Sequence, residues 1–111
     1  GGVILAGVKL SLHALFSGTA QLPDIALEPP GKVICSVTED SLQAGAIYGA
    51  AAMADGLLER MEEELGQPCT AVATGGLSGI ITPYCRRRIR HDDSLLLRGL
   101  ALIWRKNCGN R

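Results

Sequence analysis

The stretch Thr70-Ala71-Val72-Ala73-Thr74-Gly75-Gly76-Leu77-Ser78-Gly79-Ile80-Ile81 decides how the rest of the chain is read. Residues 70–73 are β-branched or small and read as a strand, Thr74, Gly75 and Gly76 as a turn, and residues 77–84 as a helix. A strand ending in paired glycines that open a helix leaves backbone N–H groups free and keeps side chains out of the way. A phosphate or nucleoside can then approach the chain itself. Alone, such a T-G-G is more often only a tight turn. It is not a Walker loop, because no G-K-[ST] follows, and G-x-G-x-x-G is absent.

Upstream of the turn, residues 39–65 carry the longest helical pattern, with Leu42, Ala46, Ala50, Met53, Leu57, Met61 and Leu65 recurring every three or four positions. Thr38 offers a hydroxyl to cap this helix, Glu39 and Asp40 face the positive end of its dipole, and Gly66 and Pro68 end it. Its first half is small and nearly uncharged and is expected to be enclosed; the turns holding Glu59, Arg60, Glu62, Glu63 and Glu64 are expected to be solvated. The small-residue face over 42–53 suits close packing on another helix, in its own lobe or across a dimer interface. Before it, residues 2–5 predict a short strand closed by Gly7, and residues 8–16 a helix that Gly18 can stop. Pro23, Pro29, Pro30 and Gly31 make 21–32 a loop, and 33–35 is at most extended. Downstream, Ile89 among arginines marks a last strand. Asp92, Asp93 and Ser94 then cap a helix over 95–106 with the face Leu95, Leu96, Gly99, Leu100, Leu102 and Ile103. The order is strand, helix, loop, long helix, strand, helix, strand, helix, an α/β pattern.

The 111 residues suffice for one domain with a modest core, built from aliphatic side chains because aromatics are only 4%. Eleven basic and eleven acidic residues cancel, which disfavours nucleic acid or an anionic membrane as partner. No apolar run reaches the ~20 residues of a membrane span. Cys35, Cys69, Cys85 and Cys108 show no C-x-x-C pairing, so no metal site is expected, and reduced, buried thiols in a cytoplasmic protein are. His13 reads as a partly buried helix residue, His91 as a loop residue, and Arg86, Arg87, Arg88 and Arg90 as a solvated strand. No carboxylate pair and no nucleophile with its base can be assembled from the sequence. Gly1 where a methionine would stand, opening a strand-like run, predicts a piece of a longer chain.

Six blocks in order resemble the carboxy-terminal half of the type III pantothenate kinases. These are Gly1-Gly2-Val3-Ile4-Leu5-Ala6-Gly7, Ser11-Leu12-His13-Ala14-Leu15-Phe16, Thr19-Ala20-Gln21-Leu22-Pro23, Val37-Thr38 with Leu42-Gln43-Ala44-Gly45, Ala73-Thr74-Gly75-Gly76-Leu77, and the run from Asp93 to Ile103. The resemblance implies residues 1–111 to be the C-terminal part of a two-lobed kinase of the acetate and sugar kinase, Hsp70 and actin superfamily. The fold it implies is an incomplete ribonuclease-H-like lobe with a mixed sheet flanked by helices. The implied activity is transfer of the ATP γ-phosphoryl group to pantothenate, the first step of coenzyme A synthesis, by a homodimer using Mg²⁺ and a monovalent cation, K⁺ or NH₄⁺. Thr38 matches the threonine that contacts pantothenate. Thr74, Gly75 and Gly76 match the adenosine-side turn, and Gly1, Gly2 and Gly7 flank the strand beyond the phosphate-binding hairpin. Ala6 stands where the family has proline, and Val37, which lacks an amide, where it has asparagine.

The family's D-x-G-N-T loop, its catalytic aspartate in G-x-D-R and its D-x-G-T-x-x-T hairpin all precede the G-G-x-I block. No catalytic residue or metal ligand is therefore expected in this chain, and the chain alone is expected to be inactive. Two alternatives are an accessory protein that keeps the lobe without its chemistry, and a kinase of the same superfamily with another substrate.

Overall fold

The computed structural model describes residues 1–17 and 26–109, which hold four α-helices and a pair of short parallel strands. Helix α1 (Val8–Ser17) is followed by the long α2 (Thr38–Leu65), strand β1 (Ala71–Ala73) and the short α3 (Ser78–Ile81). A 3₁₀ turn (Thr82–Tyr84), strand β2 (Ile89–His91) and helix α4 (Leu95–Cys108) complete the order. The strands pair Ala71 with Ile89, Val72 with Arg90 and Ala73 with His91. A parallel pair needs a crossover, which α3 and the 3₁₀ turn supply. Beyond His91 the ladder gains one more bond, from the Asp92 N–H to the Ala73 carbonyl at 2.9 Å.

Helix α2 is the axis of the molecule, with α1 on one side and α3 with the 3₁₀ turn on another. Gly66 closes it in the left-handed conformation (φ 68°), its N–H reaching the Glu63 carbonyl, as the Gly66-x-Pro68 ending predicts. The enclosed first half is also found: Gln43, Ala44, Ile47 and Ala51 are its buried residues, and Ile47 is fully buried. The stripe of Leu42, Ala46, Ala50, Met53 and Leu57 is not the one most enclosed. It lines an apolar groove of about 510 Å³ shared with Leu12 and Leu15 of α1. In a segment this rich in small residues several faces are apolar, so periodicity cannot rank them.

The other side of α2 is tied down by polar contacts. Gln43 donates to the Ala26 carbonyl at 3.0 Å and the Tyr48 hydroxyl donates to the Pro30 carbonyl, which holds the proline-rich approach against the helix. The Tyr48 and Tyr84 rings meet edge to face, with centroids 5.5 Å apart. The Asp55 carboxylate accepts the backbone N–H groups of Arg86 at 2.7 Å and Arg87 at 3.1 Å, and Glu62 accepts the Cys69 N–H and pairs with Arg87. These bonds hang β1 and β2 on α2.

Several expectations are corrected. Residues 2–5 form no strand: among the described residues no strand pairs with them, Leu5 lies on the groove beside helix α2, and Ile4 is 98% exposed. The described sheet is a parallel pair, not mixed. Thr38 is the first residue of α2, not its cap. Val37 holds the cap position with extended backbone and no side-chain bond, and the Ser41 hydroxyl instead donates back to the Val37 carbonyl at 2.8 Å. The helix expected over 77–84 is one α turn that tightens to 3₁₀ at Pro83, which has no N–H to continue the α pattern. At the start of α4, Ser94 makes no side-chain cap; its N–H and hydroxyl both turn to Asp92 Oδ1, at 3.0 and 3.1 Å. None of α4 is buried: the predicted face stands bare, and Trp104 beside it is 64% exposed. The Gly18 stop and the Thr19–Pro23 block lie outside the described residues.

The four cysteines are all free, but none is buried: Cys69 and Cys108 are exposed, Cys35 and Cys85 half-buried. Among the described residues, no helix is long and apolar enough to cross a membrane.

Candidate nucleotide-side turn

The carboxyl end of β1 carries the chain into Thr74, Gly75 and Gly76, all three exposed. In parallel α/β pairs this is the end of the strand where loops are free to meet a ligand. The two glycines serve different ends. Gly75 adopts φ 103°, a left-handed backbone that a side chain would strain. Gly76 has no such φ, and a Cβ built on it would meet nothing within 4 Å. The fold therefore demands glycine at 75 only; at 76 glycine leaves an open backbone face. Because α3 has four residues, its dipole adds little, and what the turn offers is bare, unobstructed backbone. That surface fits the approach of a nucleoside.

Ser78 fastens the turn from behind. Its N–H reaches the Gly75 carbonyl at 3.2 Å and its hydroxyl donates to the same oxygen at 2.8 Å. The Ser78 Oγ also lies 2.7 Å from His91 Nδ1, and His91 Nε2 bonds to Asp93. The His91 ring covers Gly79, where a Cβ would sit 3.6 Å from Cε1 and Nε2. His91 is thus the last residue of β2 and not a loop residue, and a hydroxyl, an imidazole and a carboxylate that the sequence left unassembled stand in a row. They line none of the grooves described, and Asp93 is 84% exposed, so the row supports the turn and encloses no substrate. No sequence spacing could have revealed it, since β1–β2 pairing alone brings residue 91 back to residue 78.

Thr38 is exposed at the start of α2, on a different element from the turn. About 15 Å of helix, at 1.5 Å per residue, separates it from Tyr48, which meets Tyr84 just past α3. Neither Thr38 nor residues 74–76 line the grooves described among these residues. Val37, half exposed, and Ala6, on the α1–α2 groove, mark the two departures from the family pattern. His13 is exposed on α1. Among the described residues no three His, Cys, Asp or Glu side chains converge, so no magnesium ligand is assigned to them.

Burial raises the pKa of the Cys85 thiol, and the negative charge of Asp55 adds to the effect. Its Sγ faces the carbonyls of Ala51 and Ile81 at 3.8 and 3.7 Å. It is a packing thiol between α2 and the 3₁₀ turn.

The sequence profile of the type III pantothenate kinases matches residues 1–60. A type III pantothenate kinase of Frankia alni is 44% identical over 96% of this chain and 43% of its own length. Those of Solibacter usitatus and Koribacter versatilis are each 43% identical, over 96% and 99% of this chain and 41% and 40% of their own lengths. The chain thus spans about two fifths of the length of the curated relatives it matches.

Proposed function

The chain belongs to the type III pantothenate kinase family, and on that footing we propose that it serves ATP-dependent phosphorylation of pantothenate, the entry into coenzyme A synthesis, as the C-terminal part of a longer, two-lobed kinase. The observation that carries this reading is the exposed Thr74-Gly75-Gly76 turn at the end of β1, whose second glycine keeps a backbone face open that the fold itself does not require. In the proposal this face receives the nucleoside of ATP, while the Thr38 hydroxyl contacts pantothenate. β1, β2 and the helices around them belong to a ribonuclease-H-like lobe. Phosphoryl transfer relies on positioning and on charge stabilisation of the phosphates, and the phosphate loop, catalytic aspartate and metal ligands would come from the remainder of the longer protein. In this proposal the kinase works in the cytoplasm as a homodimer with Mg²⁺ and a monovalent cation, K⁺ or NH₄⁺. The unfilled small-residue groove beside α2 supports a further packing partner there.

The test is Gly76→Ala in the full-length protein. The added methyl meets no protein atom, so the melting temperature stays within a degree or two of wild type, by the roughly 0.5 kcal/mol range of an unstrained surface change. If a nucleoside lies against this face, KM for ATP rises by about tenfold, a loss of ~1.4 kcal/mol, while KM for pantothenate is unchanged. An unaltered KM for ATP removes the turn from the nucleotide site.

A further inference from the structure

We propose that the open edge of β1, at Val72, is a docking edge for a further strand supplied by the remainder of the longer protein. This rests on the reading of the chain as one part of that protein. Peptide geometry identifies the edge. The N–H and C=O of one strand residue point to the same side, and successive residues alternate. The Ala73 carbonyl accepts the Asp92 N–H at 2.9 Å, so Ala73 and Ala71 turn towards β2. Val72 therefore turns its N–H and C=O the other way, and among the described residues no strand stands there to receive them. By the same alternation Arg90 faces β1, while the main-chain groups of Ile89 and His91 face outward from β2.

The two open edges differ as the rim and the interior of a sheet differ. No charged residue occurs from Gln67 to Tyr84, so β1 reads as the apolar run of a parallel strand with neighbours on both sides. β2 follows Arg86, Arg87 and Arg88 and carries Arg90 at its centre, and Arg86, Arg88 and Arg90 are exposed. Charge of this kind guards strands that end a sheet against further pairing. β2 is the rim, and β1 is an interior strand with one neighbour missing. Two strands alone are marginally stable, and a third is what makes a sheet persist. The chain spans about two fifths of the length of its relatives, which leaves ample polypeptide to supply that strand. A strand bonded at Val72 lies two residues before Thr74, so it also fixes the nucleotide-side turn against the rest of the protein.

The experiment is residue-resolved amide hydrogen exchange on the wild-type full-length protein, at concentrations above and below those at which its oligomer dissociates. It reads Val72 against three internal references. The Ala73 and Arg90 amides lie in the β1–β2 ladder and are expected to be protected, whereas Ile89, on the rim, is expected to exchange fast. Val72 is expected to exchange at least about a hundredfold more slowly than Ile89 and to match Ala73, at both concentrations. Exchange at Val72 as fast as at Ile89, with Ala73 still protected, overturns the proposal. Protection at Val72 that disappears on dilution assigns the edge to a second copy of the chain and overturns it as well. ATP-dependent phosphorylation of pantothenate, assayed on the same sample, tests the kinase reading separately. A protected Val72 without turnover keeps the docking edge and removes the activity, and turnover with an unprotected Val72 does the reverse.

Discussion

At the scale of single residues, adjacent positions of one motif prove to have different reasons. Gly75 is glycine for its backbone, Gly76 for the space in front of it. Replacing Gly75 with alanine is expected to cost about 1–2 kcal/mol by the left-handed strain alone, whereas Gly76→Ala leaves stability unchanged. Paired melting curves in the full-length protein separate the two. The cysteines divide in the same way. The thiolate is the reactive form, and a raised pKa means that Cys85 holds its proton through the pH range where an ordinary thiol has begun to ionise. Alkylation of Cys85 is therefore expected to be slower at pH 8 than that of exposed Cys69, with its pH–rate curve displaced upward. Peptide mass spectrometry of a timed iodoacetamide reaction checks this, and equal rates at the two sites would contradict the packing of Cys85 against Ala51 and Ile81. The motif residues were legible because T-G-G is a linear signal; the reason for each glycine was not, because it lies in φ and in neighbouring space.

Between elements, Asp55 is the least expected side chain. It sits on α2 in a stretch read only as apolar period, yet its carboxylate holds the two N–H groups that start the arginine segment. Hydrogen bonds to a charged acceptor contribute about 1.5–3 kcal/mol each, and partial exposure reduces that here. Asp55→Ala is expected to cost about 2 kcal/mol and to loosen β2 more than α2. Hydrogen exchange in the full-length protein should show faster exchange at residues 86–91 with the centre of α2 still protected; uniform acceleration would mean that Asp55 stabilises the helix itself. The helix boundaries were legible from periodicity, Gly66 and Pro68. The cap roles of Thr38 and Ser94 were not, because Ser, Thr and Asp near a helix start can bond in several local patterns, and here Ser41 and Asp92 make the bonds instead.

For the whole molecule, composition permitted a self-contained core, and the burial does not deliver one. The accessible surface is 8559 Å², against about 5,900 Å² for a compact monomer of this mass. The radius of gyration is 17.6 Å, against about 13 Å for a compact domain of this length. Among the described residues Leu12, Ala44, Ile47 and Ala51 are the buried apolar ones, while the face of α4 stands in solvent. So little burial cannot offset the entropy of ordering the chain. The isolated 111 residues are therefore expected to melt without a cooperative two-state transition and, with no D-x-G-N-T or G-x-D-R motif in the sequence, to form no phosphopantothenate from ATP. Calorimetry and a coupled ADP assay on the isolated chain check both. A sharp two-state melt would mean that the bare faces are not needed for folding, and measurable turnover would mean that the chemistry lies within this chain.

The sequence by itself determined the class of the elements, most of their limits, the T-G-G turn and the family, because these rest on local periodicity and on motifs read in order along the chain. Tertiary structure alone decided which stripe of α2 is enclosed, that residues 2–5 find no strand to pair with, that Asp55 holds the arginine segment, and that His91 stands behind Ser78. The physical reason is distance along the chain. Each of these depends on a parallel crossover or a helix contact joining residues far apart in sequence, and no local period or spacing encodes such a contact.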